Sequence, residues 1–383
     1  MDFAFDDDQV ELQTAVADVL VKECTPAYLR SVVEDGHDPA DLWSTLVSLD
    51  WPALAIPEAD GGVGASFLEL AIVVEQLGYV ADPTPFLTTT TQFAPLVAAC
   101  GSAEQRARFG AAIASGTTGT LALAGPGGTW DPADAPVEAR RTPTGWALHG
   151  TATFVLDGDR VDEIAVVARS DEGLQAFVVP AAAVTTNRLP SFDKALPIAE
   201  VCFDGVTVEP DRWLSSGDAG AGAAAALDQA VTGLALIAVG ACQRGLDLAI
   251  EYVKGRDQFG VPIGSFQAVK HKAVDMYVAI QRARALAYFA ALAIAEDDGR
   301  RTVAASMAKA AAGDAQQLVF RHAIQLFGGI GFTWENDLHL YLRRAKATEL
   351  LFGGAAEHRR RVARALLNDP RRPTEVLNGA ADL

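Results

Sequence analysis

Gln325-Leu-Phe-Gly-Gly-Ile-Gly-Phe332 opens a run, QLFGGIGFTWENDLHLYLRRAKATELLFGGAAEH, that extends to His358. The eight residues read as a glycine-rich turn joining two helices. Glycine lets backbone N–H groups come close to an anionic ligand. Upstream, Tyr252-Val-Lys-Gly-Arg-Asp-Gln-Phe-Gly-Val-Pro-Ile-Gly-Ser-Phe-Gln267 places a cation, Arg256, near a helix end and just before the turn-forming pair Phe259-Gly260. A planar guanidinium in that position suits a pyrophosphate.

Working outward from these runs, helical spacing predicts long helices over about 223–254, 264–296, 302–328 and 336–367. The connections near Gly260, Asp297-Asp-Gly299 and Gly328-Gly329 are short, as between antiparallel neighbours in a bundle. Ser215-Ser-Gly-Asp-Ala-Gly-Ala-Gly222 reads as a flexible connector. Before it lie short β-type runs bounded by Gly, Asp and Pro: Thr120–Ala124, Trp146–His149, Thr151–Val155, Glu163–Ala168, Leu174–Val179, Glu200–Asp204 and Val206–Val208. Such spacing suggests a small barrel or sandwich. From residue 6 to 112 the pattern is helical again, with Phe67–Leu77 and Ala103–Ser115 the clearest helices and a loop over Trp51–Pro57. The expected organisation is α+β and mainly α. It comprises an N-terminal helical domain (1–116), a middle β domain (117–213), a linker (214–222) and a C-terminal helical domain (223–383) ending in a loose tail after Pro370.

The chain has 383 residues, half of them hydrophobic, and a formal net charge of −18. That charge argues against nucleic acid and against adhesion to an anionic membrane. Four scattered cysteines (Cys24, Cys100, Cys202, Cys242) form no CxxC pair and read as buried small hydrophobes in a reducing cytoplasm. The six histidines have no ligand spacing, so no metal is expected. The acidic start, Met1 to Asp8, has no cationic n-region and reads as no secretory signal. No uninterrupted apolar run suggests a membrane span.

Four segments carry a resemblance to the acyl-CoA dehydrogenases, flavoproteins of helix–barrel–helix order. Ala103–Gly116 with Leu121-Ala-Leu-Ala-Gly-Pro126 resembles the family's helix-then-strand entry to the flavin pocket. Trp146–Gly158 resembles its G-x-K-x-[WF]-I-[ST]-x-G segment. Tyr252–Gln267 is similar to Y-x-x-x-R-x-x-F-G…Q, and Gln325–Phe332 to Q-x-x-G-G-x-G-[FY]. The resemblance implies a tetramer whose C-terminal domain is a four-helix bundle. It also implies that Arg256, Phe259, Gln267, Gln325, Gly328 and Gly329 contact the pyrophosphate–adenosine half of an FAD lying mainly in a neighbouring subunit. The family oxidises acyl-CoA thioesters between the α and β carbons and usually passes electrons to an electron-transfer flavoprotein.

That reaction takes a proton from a weakly acidic α C–H and so needs a placed carboxylate. The commoner location of the base, in Y-E-G-[TS], is here Leu351-Phe352-Gly353-Gly354. The alternative, in L-D-x-E, is Leu227-Asp-Gln-Ala230. Neither Phe352 nor Ala230 can accept a proton. Asp228 is two positions from Ala230, roughly 200° around a helix, and points elsewhere. Glu349 precedes Phe352 by about one turn and is a substitute only if the helix register differs; otherwise it is a solvated partner of Arg343 or Lys346. Glu357 and His358 read as local ion-pair residues. On the resemblance, Ala124 stands where a Thr or Ser hydroxyl meets the flavin ring and Gly125 where the neighbouring acid stands. Leu156 takes the place of the hydroxyl near N5, and Phe154 that of the usual Trp.

Residues that would serve this subunit's own flavin are altered, while those that would reach a neighbour's are kept. The sequence thus resembles the base-less subunit of actinobacterial α2β2 acyl-CoA dehydrogenases acting on steroid-derived thioesters, a branch also suggested by Thr333–Tyr341. A sister subunit would then be its partner. Two other readings stay open: a self-sufficient homotetramer using an acid such as Glu349, and a structural or regulatory homologue without flavin.

Overall fold

The computed structural model describes residues 5–367; the tail read after Pro370 and the first four residues lie outside it. Side-chain caps fix where the N-terminal helices begin. Asp6 and Gln9 form a reciprocal capping box at the start of α1 (Asp7–Glu23). Thr25 caps α2 (Pro26–Arg30), and α3 (Ala40–Ser48) follows. Ser66 and Glu69 box the start of α4 (Phe67–Val80). α5 (Phe86–Thr88) runs through a wide turn at Thr89–Phe93 into α6 (Ala94–Cys100), and Ser102 with Gln105 starts α7 (Ala103–Ala114).

The middle region is one eight-stranded mixed sheet: β1 (Gly119–Ala122), β2 (Val137–Thr142), β3 (Gly145–Leu156), β4 (Glu163–Ser170), β5 (Gly173–Pro180), β6 (Thr185–Leu189), β7 (Ile198–Val208) and β8 (Trp213–Leu214). Its order is β6-β7-β3-β2-β4-β5-β8, with β1 added parallel to β4. It encloses its own apolar core, including Trp146, Phe177 and Phe203. The sequence runs 146–149 and 151–155 are one strand, β3, as are 200–204 and 206–208 in β7. Register shifts near His149 and before Val155 bend β3 where the sequence suggested a break. β2 and β6, rich in charged and polar residues, give no apolar run and are not in the sequence reading.

The C-terminal bundle is built from α8 (Ala219–Gly255), the small hairpin β9 (Asp257–Gln258) and β10 (Val261–Pro262), α9 (Gln267–Ala295), α10 (Arg301–Phe327), α11 (Leu338–Leu350) and α12 (Ala355–Leu367). Two expectations change. The connector over 215–222 is shorter, because Asp218 caps the Ala221 N–H and α8 already starts at Ala219. The helix expected over 336–367 is two helices, broken where Phe352 (φ 58°) and Gly353 (φ 97°) turn left-handed.

α8 is the shared core element. α4 crosses it backbone to backbone: a Cβ on Gly78 would lie 2.4 Å from the Ile237 carbonyl oxygen, and one on Gly240 would lie 2.1 Å from that of Glu75. By length and composition alone, α8 and α9 each contain a window apolar enough to cross a membrane, because alanine-rich helices pass that test without an unbroken aliphatic run. In α8 that window is 83% buried and forms the protein core.

Candidate functional site

The two motif runs meet at one end of the bundle. Tyr252, on the last turn of α8, stacks on Phe327 at the end of α10 with ring centroids 4.5 Å apart. Arg256 caps α8 through its N–H to the Tyr252 carbonyl and shares a groove with Tyr252 and Phe327. It makes no ion pair among the described residues, not even with its chain neighbours Glu251 and Asp257. Phe259 and Gly260, both with positive φ, form the tight turn of the β9–β10 hairpin. Phe259 is 92% exposed, so it is no core anchor. Gln267 and Gln325 are exposed as well. Gln325 and Gly328 line a second concavity with Arg321, Ile324 and Phe332. Gly328 (φ 65°, ψ −141°) needs glycine for its backbone. Gly329 has no such need, and a Cβ there would meet nothing within 4 Å, so its glycine leaves room on the solvent side. These residues fit the phosphate-bearing half of a dinucleotide: a free guanidinium, open backbone and unpaired amides on an uncovered face.

The second group lies where the sheet meets the bundle and is closed. Phe352 is 3% exposed and stacks on Trp130, centroids 5.4 Å apart and planes 22° apart. Trp130 in turn lies 6.3 Å from Phe154. Ala124 and Leu156 are buried beside them in the same apolar core. The nearby hydroxyls are spent on backbone: Thr153 Oγ1 donates to the Gly125 carbonyl (2.7 Å) and Thr120 Oγ1 to that of Leu156 (2.6 Å). Apart from the Trp130 indole N–H, the side chains of this group among the described residues are apolar or committed to backbone carbonyls, so these residues do not fit the ring half of the cofactor.

The local acids are engaged elsewhere. Ala230 is fully buried, and Asp228 accepts from Thr302 Oγ1 at 2.8 Å with Arg301 at 3.3 Å. Burial raises the Asp228 pKa despite those partners. Glu349 pairs with Lys346 at 2.8 Å and accepts weakly from the Ala355 N–H, so it is partnered rather than freely solvated. Glu357 pairs with Arg361 as expected. His358 does not form an ion pair: it is buried, with Nε2 donating to the Phe352 carbonyl at 3.0 Å and Nδ1 accepting from the Ser306 hydroxyl at 3.3 Å. Burial, helped by the Lys309 charge, pushes its pKa down to about 3.

Sequence reasoning missed Trp130, Lys309 and Arg344. Lys309, 1% exposed, donates to the Glu349 carbonyl (2.8 Å) and the Gly353 carbonyl (2.9 Å), bracing the turn that carries Phe352. Its lone charge within AASMAKAAAG was the available signal. Arg344, 2% exposed, binds Asp193 of the β6–β7 loop (2.5 Å) and the Asp82 carbonyl after α4 (2.6 Å). It ties sheet, N-terminal helices and bundle together. Trp130, between glycines and a proline in GPGGTWDP, was a large ring in a segment that reads as loop. Among the described residues, three of the seven non-glycine residues with left-handed backbone are Phe154, Phe259 and Phe352. A bulky side chain rarely adopts that conformation, and such strain concentrates at functional positions. No group of metal-binding side chains occurs among the described residues.

The acyl-CoA dehydrogenase C-terminal domain matches residues 220–367, and the acyl-CoA dehydrogenase N-terminal domain matches residues 6–117. Acyl-CoA dehydrogenase IpdE2 of Mycolicibacterium smegmatis is 32% identical over 354 residues, covering 92% of this chain and 96% of that protein. Among solved structures, the ChsE4-ChsE5 complex from Mycobacterium tuberculosis superposes with a TM-score of 0.88 at 30% identity, covering 97% of this chain and all of that one. The Tcur3481-Tcur3483 steroid ACAD superposes at 0.84 with 29% identity, covering 98% and 99%.

Proposed function

Since this chain belongs to the acyl-CoA dehydrogenase family, we propose that it is the base-less, FAD-supporting subunit of an α2β2 enzyme that oxidises a bulky, steroid-type acyl-CoA thioester. The observation that carries this reading is the contrast between two faces. Arg256, Phe259, Gln325, Gly328 and Gly329 stand open at one end of the bundle, whereas Phe352 and Trp130 close the other site. The similar ChsE4-ChsE5 complex and the Tcur3481-Tcur3483 steroid ACAD each pair two differently named components, and they support a sister partner and that substrate class.

In the assembly, Arg256 would bind the pyrophosphate of an FAD held mainly by the partner. Its planar fork donates charge-assisted hydrogen bonds at low reorganisation cost because no internal carboxylate competes for it. Gly328 and Gly329 would admit the cofactor close to the backbone, and the exposed Phe259 ring would cover it from water. FAD supplies the hydride acceptor when bound. The partner would supply the base, the ring pocket and most of the acyl site, with an electron-transfer flavoprotein as the usual acceptor. Among the described residues, no carboxylate near Phe352 or Ala230 is free to take the α proton. The homotetramer reading has little support, since the Glu349 carboxylate is directed to Lys346 and the Ala355 N–H.

The test is to purify the chain alone and co-expressed with a sister dehydrogenase, and to record visible spectra and acyl-CoA turnover. The expected result is a colourless, inactive chain that joins a yellow, active complex. A yellow, active homotetramer would overturn the reading. Failure to acquire flavin with any sister would instead favour the structural-homologue reading.

A further inference from the structure

Trp130 belongs to none of the motifs that carry the family resemblance, yet it joins the two aromatic residues of the closed site. It comes from the irregular segment between β1 and β2, which contains Gly125, Gly127 and Gly128. Segments of that composition ordinarily lie on the surface. Here the Trp130 side chain is buried to 9% exposure, near-parallel to Phe352 and tilted 45° to Phe154. The segment is held in place by ordered contacts: Gly128 N–H to the Gly125 carbonyl, and Arg169 Nε to the Ala135 carbonyl at 2.7 Å. Both ring partners have left-handed backbone, with φ 55° at Phe154 and 58° at Phe352. The Phe352 turn is braced from behind by Lys309 and His358. Three separate chain segments thus converge on a single aromatic stack.

We propose that Trp130 is an internal plug: its indole fills the slot between β3 and the α11–α12 turn where a flavin ring and a thioester would meet, and so keeps this subunit free of its own flavin. The proposal rests on the function proposed above, in which only the partner's ring pocket is used. A planar aromatic side chain is a chemically suitable filler, since stacked rings favour offset, near-parallel contact. The hydroxyls of Thr120 and Thr153 are already committed to carbonyls, so the slot suits an apolar ring better than the polar edge of a flavin.

The test uses the full chain and lumiflavin, the ring system without its tail, so that no partner is needed to hold a pyrophosphate. Lumiflavin fluorescence is titrated with wild type, Trp130→Phe and the double variant Trp130→Ala/Phe352→Ala, with indole as a control ligand. The expected result is at least tenfold tighter lumiflavin binding by the double variant than by wild type, with Trp130→Phe still closed. A folded double variant that takes up indole but not lumiflavin, or neither, overturns the plug and reduces Trp130 to core packing. If the double variant does not fold, Trp130→Leu replaces it: a fivefold gain in lumiflavin affinity supports the plug, and an unchanged affinity overturns it. The wild-type complex with a sister subunit separates the two claims. A flavin-free complex sinks the proposed function, whereas a flavin-bearing one beside a closed double variant sinks only the plug.

Discussion

Replacing Lys309 with methionine should remove a specific pH dependence of stability. Burial draws the Lys309 pKa from 10.5 down to about 7, and Glu349 and Glu357 oppose that only in part. The folded chain therefore binds fewer protons at this site than the unfolded chain between pH 7 and 10.5. Stability must rise with pH across that window, by about 1.4 kcal/mol per unit at its steepest. Below pH 7 the ammonium is charged in both states and its full cost, about 5 kcal/mol from the shift, is present. Its hydrogen bonds to the Glu349 and Gly353 carbonyls offset part of that cost. Between pH 7 and 9 the wild type should gain about 2 kcal/mol from this residue alone. Lys309→Met should gain none of it. His358, with its pKa lowered to about 3, does not titrate in that range and leaves the comparison clean. Parallel urea denaturation of both proteins at pH 7, 8 and 9, followed by far-UV circular dichroism, measures the difference. A wild-type-minus-variant difference that stays flat from pH 7 to 9 would refute the buried-ammonium account.

Asp82 should behave in the opposite sense. Burial raises its pKa from 3.8 to about 6, so the stability its protonated form provides is lost as pH rises through that interval. Asp82→Asn keeps an acceptor for Thr84 and should stabilise the chain by up to about 3 kcal/mol at pH 7 and by little at pH 4, as read from urea midpoints at the two pH values. Arg256→Ala should weaken FAD binding by the complex about 10- to 100-fold, the worth of charge-assisted hydrogen bonds of about 1.5–3 kcal/mol. It should leave thermal unfolding of the isolated chain unchanged; equal FAD affinity by fluorescence titration would remove Arg256 from the cofactor contact. Phe352→Glu should not give a working enzyme alone, because the new carboxylate faces Trp130 in a slot without flavin. Restored turnover with acyl-CoA and an artificial acceptor would contradict that.

The helix–sheet–helix order was legible because its signals are local: helical spacing from Val10 onward, short β runs from Thr120, and glycine pairs between long helices. β2 (VEARRT) and β6 (TTNRL) escaped because their side chains are mostly charged or polar, so neither shows an apolar alternation even though each pairs with the next strand in the chain. The sequence reading ran one helix through Gly353-Gly354, and nothing in the letters says that Phe352 itself adopts a left-handed backbone. That neither Phe352 nor Ala230 can take a proton was legible from the residues themselves. What fills the place of a base was not, since Trp130 and Phe352 are 222 positions apart and meet only through tertiary packing. His358 read as a local ion-pair residue beyond the glycines, whereas its own face of α12 is turned to Ser306. Buried charges such as Lys309 and Arg344 are the hardest class: their partners are backbone carbonyls or acids from another part of the chain.

The flavin count of the assembled enzyme tests the division of labour most directly. Co-purified with its sister subunit, the complex is predicted to hold one FAD per pair of chains by absorbance and protein mass, with turnover abolished when the sister's base is replaced. Two FAD per pair, or turnover that survives loss of the sister's base, would contradict the account.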